Sequence, residues 1–153
     1  MRIAAGSDHA GYDLKQALIA HLAGLGHEVA DFGTSSAEVS VDYPDFGAAV
    51  GRAVAGGEAE LGVCVCGTGI GIGIAANKVP GIRAAVVHDV TTASLARRHN
   101  HANVVCLGGR TVAVLTALDA LDAFLAAAPE HGRHDRRIEK ITALELDAAR
   151  AGP

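Results

Sequence analysis

Apolar residues along this chain fall into short β-branched runs that alternate with longer stretches of helical spacing, and glycine or a polar turn marks nearly every junction. Arg2 to Ala5 reads as a strand broken by Gly6-Ser7-Asp8-His9-Ala10-Gly11. A helix follows, with Leu14, Leu18, Leu22 and Leu25 on one stripe and Gly26 at its end. Glu28 to Phe32 is a second strand. Asp42-Tyr43-Pro44 predicts a helix start, since proline is tolerated in a first turn, and this helix runs through Phe46, Val50 and Val54 to Gly56-Gly57.

Gly62 to Cys66 predicts a buried central strand. It opens into Gly67, Gly69, Gly71 and Gly73 at every second position, then into a helix that Pro80-Gly81 must end. Ala84 to Val87 is a fourth strand, and Asp89 caps a helix from Val90 to about Arg98. Val104 to Leu107 is a fifth strand, halted by Gly108-Gly109-Arg110. A long helix follows with Leu115, Leu118, Leu121 and Leu125 on one side, and a charged connection, Glu130 to Arg137, leads into a last helix carrying Ile138, Ile141, Leu144 and Ala148.

This order predicts an α/β chain: a three-layer, Rossmann-like fold around a five-stranded parallel sheet with right-handed crossovers. Residues 1–153 form one domain, with about 131–153 as the C-terminal connection and helix. That helix follows the last crossover with an apolar face uncovered, so packing on a partner subunit is its expected use.

Half of the residues are apolar but only 3% are aromatic, so the core must be aliphatic. A formal charge of −4 without a basic run argues against nucleic acid or an anionic membrane as partner. No apolar run is long enough to span a bilayer, and Met1-Arg2-Ile3 enters a strand directly; a cytoplasmic protein is expected. The three cysteines suit neither a disulfide framework nor a zinc knuckle, so free thiols and no metal are expected.

The glycine loop is the chemical centre of the pattern. A strand, a glycine turn and a helix start aim several N–H groups at one spot, which suits an anion or a developing oxyanion. The dinucleotide fingerprint fails in every register, because Ile72, Ile74 or Ala76 stands where its third glycine belongs, and no Gly-Lys pair exists for a nucleotide-hydrolase phosphate loop. Cys66, at the strand's end, can serve there as base or nucleophile. Ligands of an open parallel sheet sit beyond the carboxyl ends of its strands, which here deliver Asp8 and His9, Cys66 and Thr68, and Arg110. Asp8 also suits a helix cap. The turn after the fourth helix adds His99 and Asn100, though spacing alone does not say on which side of the sheet it lies.

With these residues the chain resembles the type B ribose-5-phosphate isomerases, a family that includes subunits of galactose-6-phosphate isomerase. The matching pieces are Gly6 to Gly11, Asp42-Tyr43-Pro44, Cys66 to Gly71, Ile74 to Lys78, Arg98-His99-Asn100, Gly109-Arg110 and Gly132-Arg133-His134. The resemblance implies interconversion of ribose 5-phosphate and ribulose 5-phosphate through an enediolate, without a cofactor. Members with cysteine at the place of Cys66 use it as the base, whereas others carry a glutamate at the place of Ile72. By position, Gly67, Gly69, Ile70 and Gly71 would hold the enediolate oxygen by their N–H groups, Thr68 would assist at the hydroxyl, and His99 would open the sugar ring. Asp8 and Asn100 would orient the sugar and Tyr43 would line the pocket. His9, Arg110, Arg133 and Arg137 would bind phosphate, the last two from a neighbouring subunit of a homodimer, or of a tetramer built from it. Other readings are a hexose or tetrulose phosphate as substrate (allose 6-phosphate, galactose 6-phosphate, erythrulose 4-phosphate) and a non-catalytic nucleotide-binding module.

Overall fold

The computed structural model describes residues 1–151, apart from the side chains of residues 148, 149 and 151. Five parallel strands, β1 (Arg2–Ser7), β2 (Glu28–Asp31), β3 (Leu61–Cys66), β4 (Ala84–Val86) and β5 (Val104–Gly108), form one sheet in the order β2-β1-β3-β5-β4. The helices are α1 (Tyr12–Gly24), α2 (Tyr43–Ala55), α3 (Ile70–Ala76), α4 (Val90–Asn100), α5 (Val114–Ala126) and α6 (Arg133–Ala151). The three-layer α/β expectation holds.

Alternation along the strands divides the core in two. Ile3, Val63, Val65, Val105 and Leu107 face Leu14, Leu18, Leu22, Leu121 and Phe124 on the α1, α4 and α5 side. Ala4, Cys64, Cys66, Val104 and Cys106 face Val50, Ala53, Ile72 and Ala76 on the α2 and α3 side. Both faces of β3 are covered, which is why its run is apolar throughout. Helix α2 approaches closely because Gly6 and Gly62 leave room: a Cβ on either would lie 2.7 Å from a methyl of Val50.

Two helix stripes differ from expectation. Leu25 lies past the end of α1 and is exposed. In α5 the buried positions are Ala117, Ala120, Leu121 and Phe124, while Leu115, in its first turn, points to water. On α6, Ile138 is half-buried and Ile141, Leu144 and Leu146 are exposed; the Ala148 side chain lies outside the described residues. Asp89 does cap α4, in a reciprocal pair with Thr92.

The chain crosses from β1 outward to β2 and from β3 outward in the other direction, so the strand order reverses between β1 and β3. In such a sheet the connections leaving the two strands diverge, and a crevice opens at their carboxyl ends.

Candidate active site

Cys66 ends β3 at this crevice and is buried, and its Sγ accepts a hydrogen bond from the N–H of Gly69 at 3.2 Å. Gly69 turns the chain with φ of 78° into α3, and a Cβ there would lie 2.9 Å from the carbonyl carbon of Leu107. The first N–H groups of α3 have no carbonyl of their own helix to bond; that of Ile70 donates to Thr68 Oγ1 at 3.3 Å, and Ile70 and Gly71 line the same cleft as that hydroxyl.

The loops from β1 and β5 close round this turn. Gly109 N–H donates to the Cys66 carbonyl at 2.8 Å and Arg110 N–H to the Gly67 carbonyl at 3.0 Å, so the Arg110 side chain lies over Gly67. Asp8 is buried and caps the short 3-10 turn His9–Gly11, its Oδ1 accepting from Gly11 N–H at 3.0 Å. The expected cap is present, and the same residue also lines the cleft. The N–H of Val41 donates to His9 Nδ1 at 3.2 Å, which leaves the neutral ring its proton on Nε2, a donor for an anion. Tyr43, the first residue of α2, lies against Gly71. Together these residues line a cleft of about 490 Å³ with Ile70 and Ile74 at its rim.

Four expected site residues are elsewhere. Arg83, just ahead of β4, donates from Nε to the carbonyl of Asn100, and its backbone N–H bonds Asn103, just ahead of β5. His99 and Asn100 thus sit at the amino edge of the sheet. The open question of which side they occupy is settled, and they are not gathered with Cys66 within one chain. The separation is about a strand's length, roughly 15 Å. Arg133 and Arg137 open α6 beside them, near His99 through Glu130 and His134.

This second cluster includes residues the spacing did not single out. Glu130 pairs with Arg98, whose hydrogen bond holds its carboxyl below the usual range. Burial, and then the positive fields of His99 and Arg133, push the His134 imidazole below its ordinary value. The Glu130 to His134 spacing of four was a legible signal, but only the fold shows that it faces His99. Beside the cluster runs a larger, mostly apolar groove of about 690 Å³ lined by Ile82, Ala84, Asn100, Ile141 and Leu144. Its walls carry Lys78 and Glu145 but no cysteine, histidine or glycine loop, so it lacks the set of groups gathered in the smaller cleft.

The remaining cysteines are structural. Cys64 and Cys106 face each other in register on β3 and β5, and the contact with Cys64, reinforced by burial, raises the Cys106 thiol well above its usual range. Among the described residues no helix is long and apolar enough to cross a membrane.

A thiol, a hydroxyl, a glycine loop and the Arg110 guanidinium meet at the switch point of a parallel sheet, equipment suited to acid-base chemistry on a small anionic ligand. The chain belongs to the Ribose/Galactose Isomerase family, whose model matches residues 3–141. It is 49% identical over 144 residues to ribose-5-phosphate isomerase B of Escherichia coli, covering 94% of this chain and 96% of that one. The Mycobacterium tuberculosis ribose-5-phosphate isomerase B is 43% identical, over 95% and 90% of the two chains. Among solved structures, the Clostridium thermocellum ribose-5-phosphate isomerase B superposes with a TM-score of 0.95 at 51% identity, covering 97% of this chain and 99% of that one. A Mycoplasma genitalium ribose-5-phosphate isomerase B, solved with bound ribulose 5-phosphate, gives 0.90 at 42% identity, over 95% and 96%.

Proposed function

We propose that this protein is an aldose-ketose isomerase that interconverts ribose 5-phosphate and ribulose 5-phosphate, with Cys66 as the base. The observation that carries the mechanism is the position of the Cys66 sulfur, in one cleft with the Thr68 hydroxyl, the first turn of α3, His9 and Arg110. Family and relatives carry the choice of substrate.

Proton transfer between adjacent carbons needs a base beside them and a preformed place for the negative oxygen. From the aldose, the Cys66 thiolate takes the C2 proton as O1 becomes anionic. The backbone N–H groups of Gly67, Gly69, Ile70 and Gly71 are assigned to that charge, the Gly69 N–H being shared with the sulfur and the Ile70 N–H with the Thr68 hydroxyl. The thiol returns its proton to C1, and Thr68 relays the hydroxyl proton from O2 to O1. No electron leaves the sugar, so the reaction balances without a redox cofactor. Asp8 holds the sugar hydroxyls and Tyr43 walls the pocket. His9 Nε2 and Arg110 meet the phosphate.

Ring opening and the rest of phosphate binding need groups from the other edge of the sheet. A homodimer supplies them: His99 and Asn100 of the partner subunit complete the sugar site, and Arg133 and Arg137 of the partner subunit complete the phosphate site. Two observations support this reading. Within one chain these four residues stand a strand's length from Cys66, and beside them Ile141 and Leu144 of α6 are exposed next to the apolar groove. In ring opening the bond from C1 to O4 breaks, O4 gains a proton and O1 loses one, and His99 carries that exchange. Free buried thiols and an intermediate of metabolism as substrate fit the cytoplasm.

The test is turnover of ribose 5-phosphate compared with allose 6-phosphate, galactose 6-phosphate and erythrulose 4-phosphate, in wild type and Cys66→Ala. The pentose is expected to be preferred and the variant inactive. Negligible pentose turnover, or thermal stabilisation by nucleotides and not by sugar phosphates, would overturn the reading.

A further inference from the structure

His134 is a buried imidazole without a role in the mechanism above. It is only 5% exposed, although it stands in the first turn of an exposed helix. Its ring lies flat on that of His99, with centroids 4.4 Å apart and planes within 10°. Arg133 Nε donates to His134 Nε2 at 3.4 Å, so that nitrogen carries a lone pair and the ring is neutral.

Glu130 completes the arrangement and is itself pinned to the end of α4. Its N–H donates to the Arg98 carbonyl at 2.8 Å, its carbonyl accepts from His101 Nε2 at 2.7 Å, and its Oε1 is taken by Arg98. The free oxygen, Oε2, is 3.5 Å from His99 Nε2 and 3.7 Å from His134 Nε2. Since His134 Nε2 already accepts from Arg133, the carboxylate is left for His99.

These three residues also look like a metal triad, but the stack argues otherwise. Imidazole lone pairs lie in the ring plane, so two nearly parallel stacked rings point theirs side by side and do not converge on one ion.

We propose that His134 is a positioning residue for ring opening: its stacked ring and the pinned Glu130 hold His99 in one plane, with Nε2 toward the carboxylate and Nδ1 left for the sugar. This rests on the assignment of ring opening to His99. A catalytic side chain left free to rotate loses its near-attack geometry, and misplacement of this kind costs about 10- to 100-fold.

The substrates offer a way to isolate the step. Ribulose 5-phosphate has its carbonyl at C2 and its O5 esterified, so it cannot close to a furanose and needs no opening. Exchange of its C1 proton for deuterium in D2O therefore reports Cys66 chemistry alone. His134→Ala is expected to lower kcat on ribose 5-phosphate about 10- to 100-fold, while C1 exchange on ribulose 5-phosphate stays within about threefold. His134→Phe, which keeps a flat ring for the stack, is expected to recover most of the loss. It also decides the matter if the alanine variant does not fold: Phe with wild-type exchange and turnover, set against a slow Glu130→Gln, supports the proposal. Wild-type turnover in a folded His134→Ala, an equal fall in turnover and exchange, or wild-type turnover in Glu130→Gln overturns it. His99→Asn is the control. If it keeps full ribose 5-phosphate turnover, the ring-opening assignment itself fails; if it alone is slow, only the role of His134 fails.

Discussion

Tyr43 lies so close over Gly71 that a Cβ at position 71 would fall 2.6 Å from the ring carbon Cζ. The first turn of α2 and the first turn of α3 therefore share one wall of the cleft, and the glycine there makes room for a neighbour. Tyr43 is 40% exposed and the clash falls on the far end of its ring, so Gly71→Ala should swing the ring aside, raise KM about tenfold and cost about 1 kcal/mol of stability, the low end for overpacking. In Gly71→Ala/Tyr43→Ala the clash is removed, so melting and denaturant curves should show stability recovered while KM stays high. Equal stability of the two variants would refute the contact.

The Cys66 sulfur is expected to be needed for chemistry and not for binding. Cys66→Ala should lose about 10²- to 10⁴-fold in kcat, the usual worth of a positioned base. Its melting temperature should still rise with added ribose 5-phosphate. Calorimetry and a coupled assay on the same preparation separate the two effects.

Because His99 and Cys66 occupy opposite edges of the sheet, a shared site makes a complementation experiment decisive. Cys66→Ala and His99→Asn chains should each be nearly inactive. Denatured together and refolded, they should regain about one quarter of wild-type turnover, since random C2 pairing gives half mixed dimers with one intact site each. No recovery would mean that both residues act from one chain.

Leu144 is 69% exposed on α6, so a charge there leaves the single chain's core undisturbed. Leu144→Glu is expected to shift the protein to monomers in sedimentation, with an unchanged circular dichroism spectrum and turnover reduced at least tenfold, because burying an unpaired carboxylate against the groove is costly. A fully active monomer would remove the need for a partner.

Acidification should weaken the α4–α6 junction in two stages. His134 in the folded chain is held below its ordinary value by burial, so the unfolded chain binds more protons, and stability falls as pH drops through about 6.5. Glu130 and Asp135 are held low by Arg98 and by the Gly132 N–H respectively; their contributions are present above about pH 4 and fade below it. Melting temperatures from pH 8 to pH 5 should fall in wild type and fall less in His134→Phe.

Much of this architecture was legible in one dimension because local rules and the global fold agree. The unbroken apolar run Leu61–Cys66 marks a strand buried on both faces, Asp89 marks a helix start, and the glycines from Gly67 to Gly73 mark the turn between β3 and α3. The stripes failed where an end effect intervened, as at Leu25 and Leu115, whose periodicity is right but whose turns lie beyond the neighbouring layer. Glu130 reads only as the start of a charged connection, and His134 only as part of a matching motif with no role of its own, since nothing local says that a histidine in a charged run is buried.

Residue order alone determined the strand-helix alternation, the glycine loop beside Cys66 and, through motif resemblance, the family, because each depends on neighbours within a turn or a strand. Only the tertiary structure decided that His99, Asn100, Arg133 and Arg137 lie at the far edge of the sheet from the thiol. A helix that follows a parallel strand must run back along it, and the length of that return carries its last residues to the opposite end of the molecule.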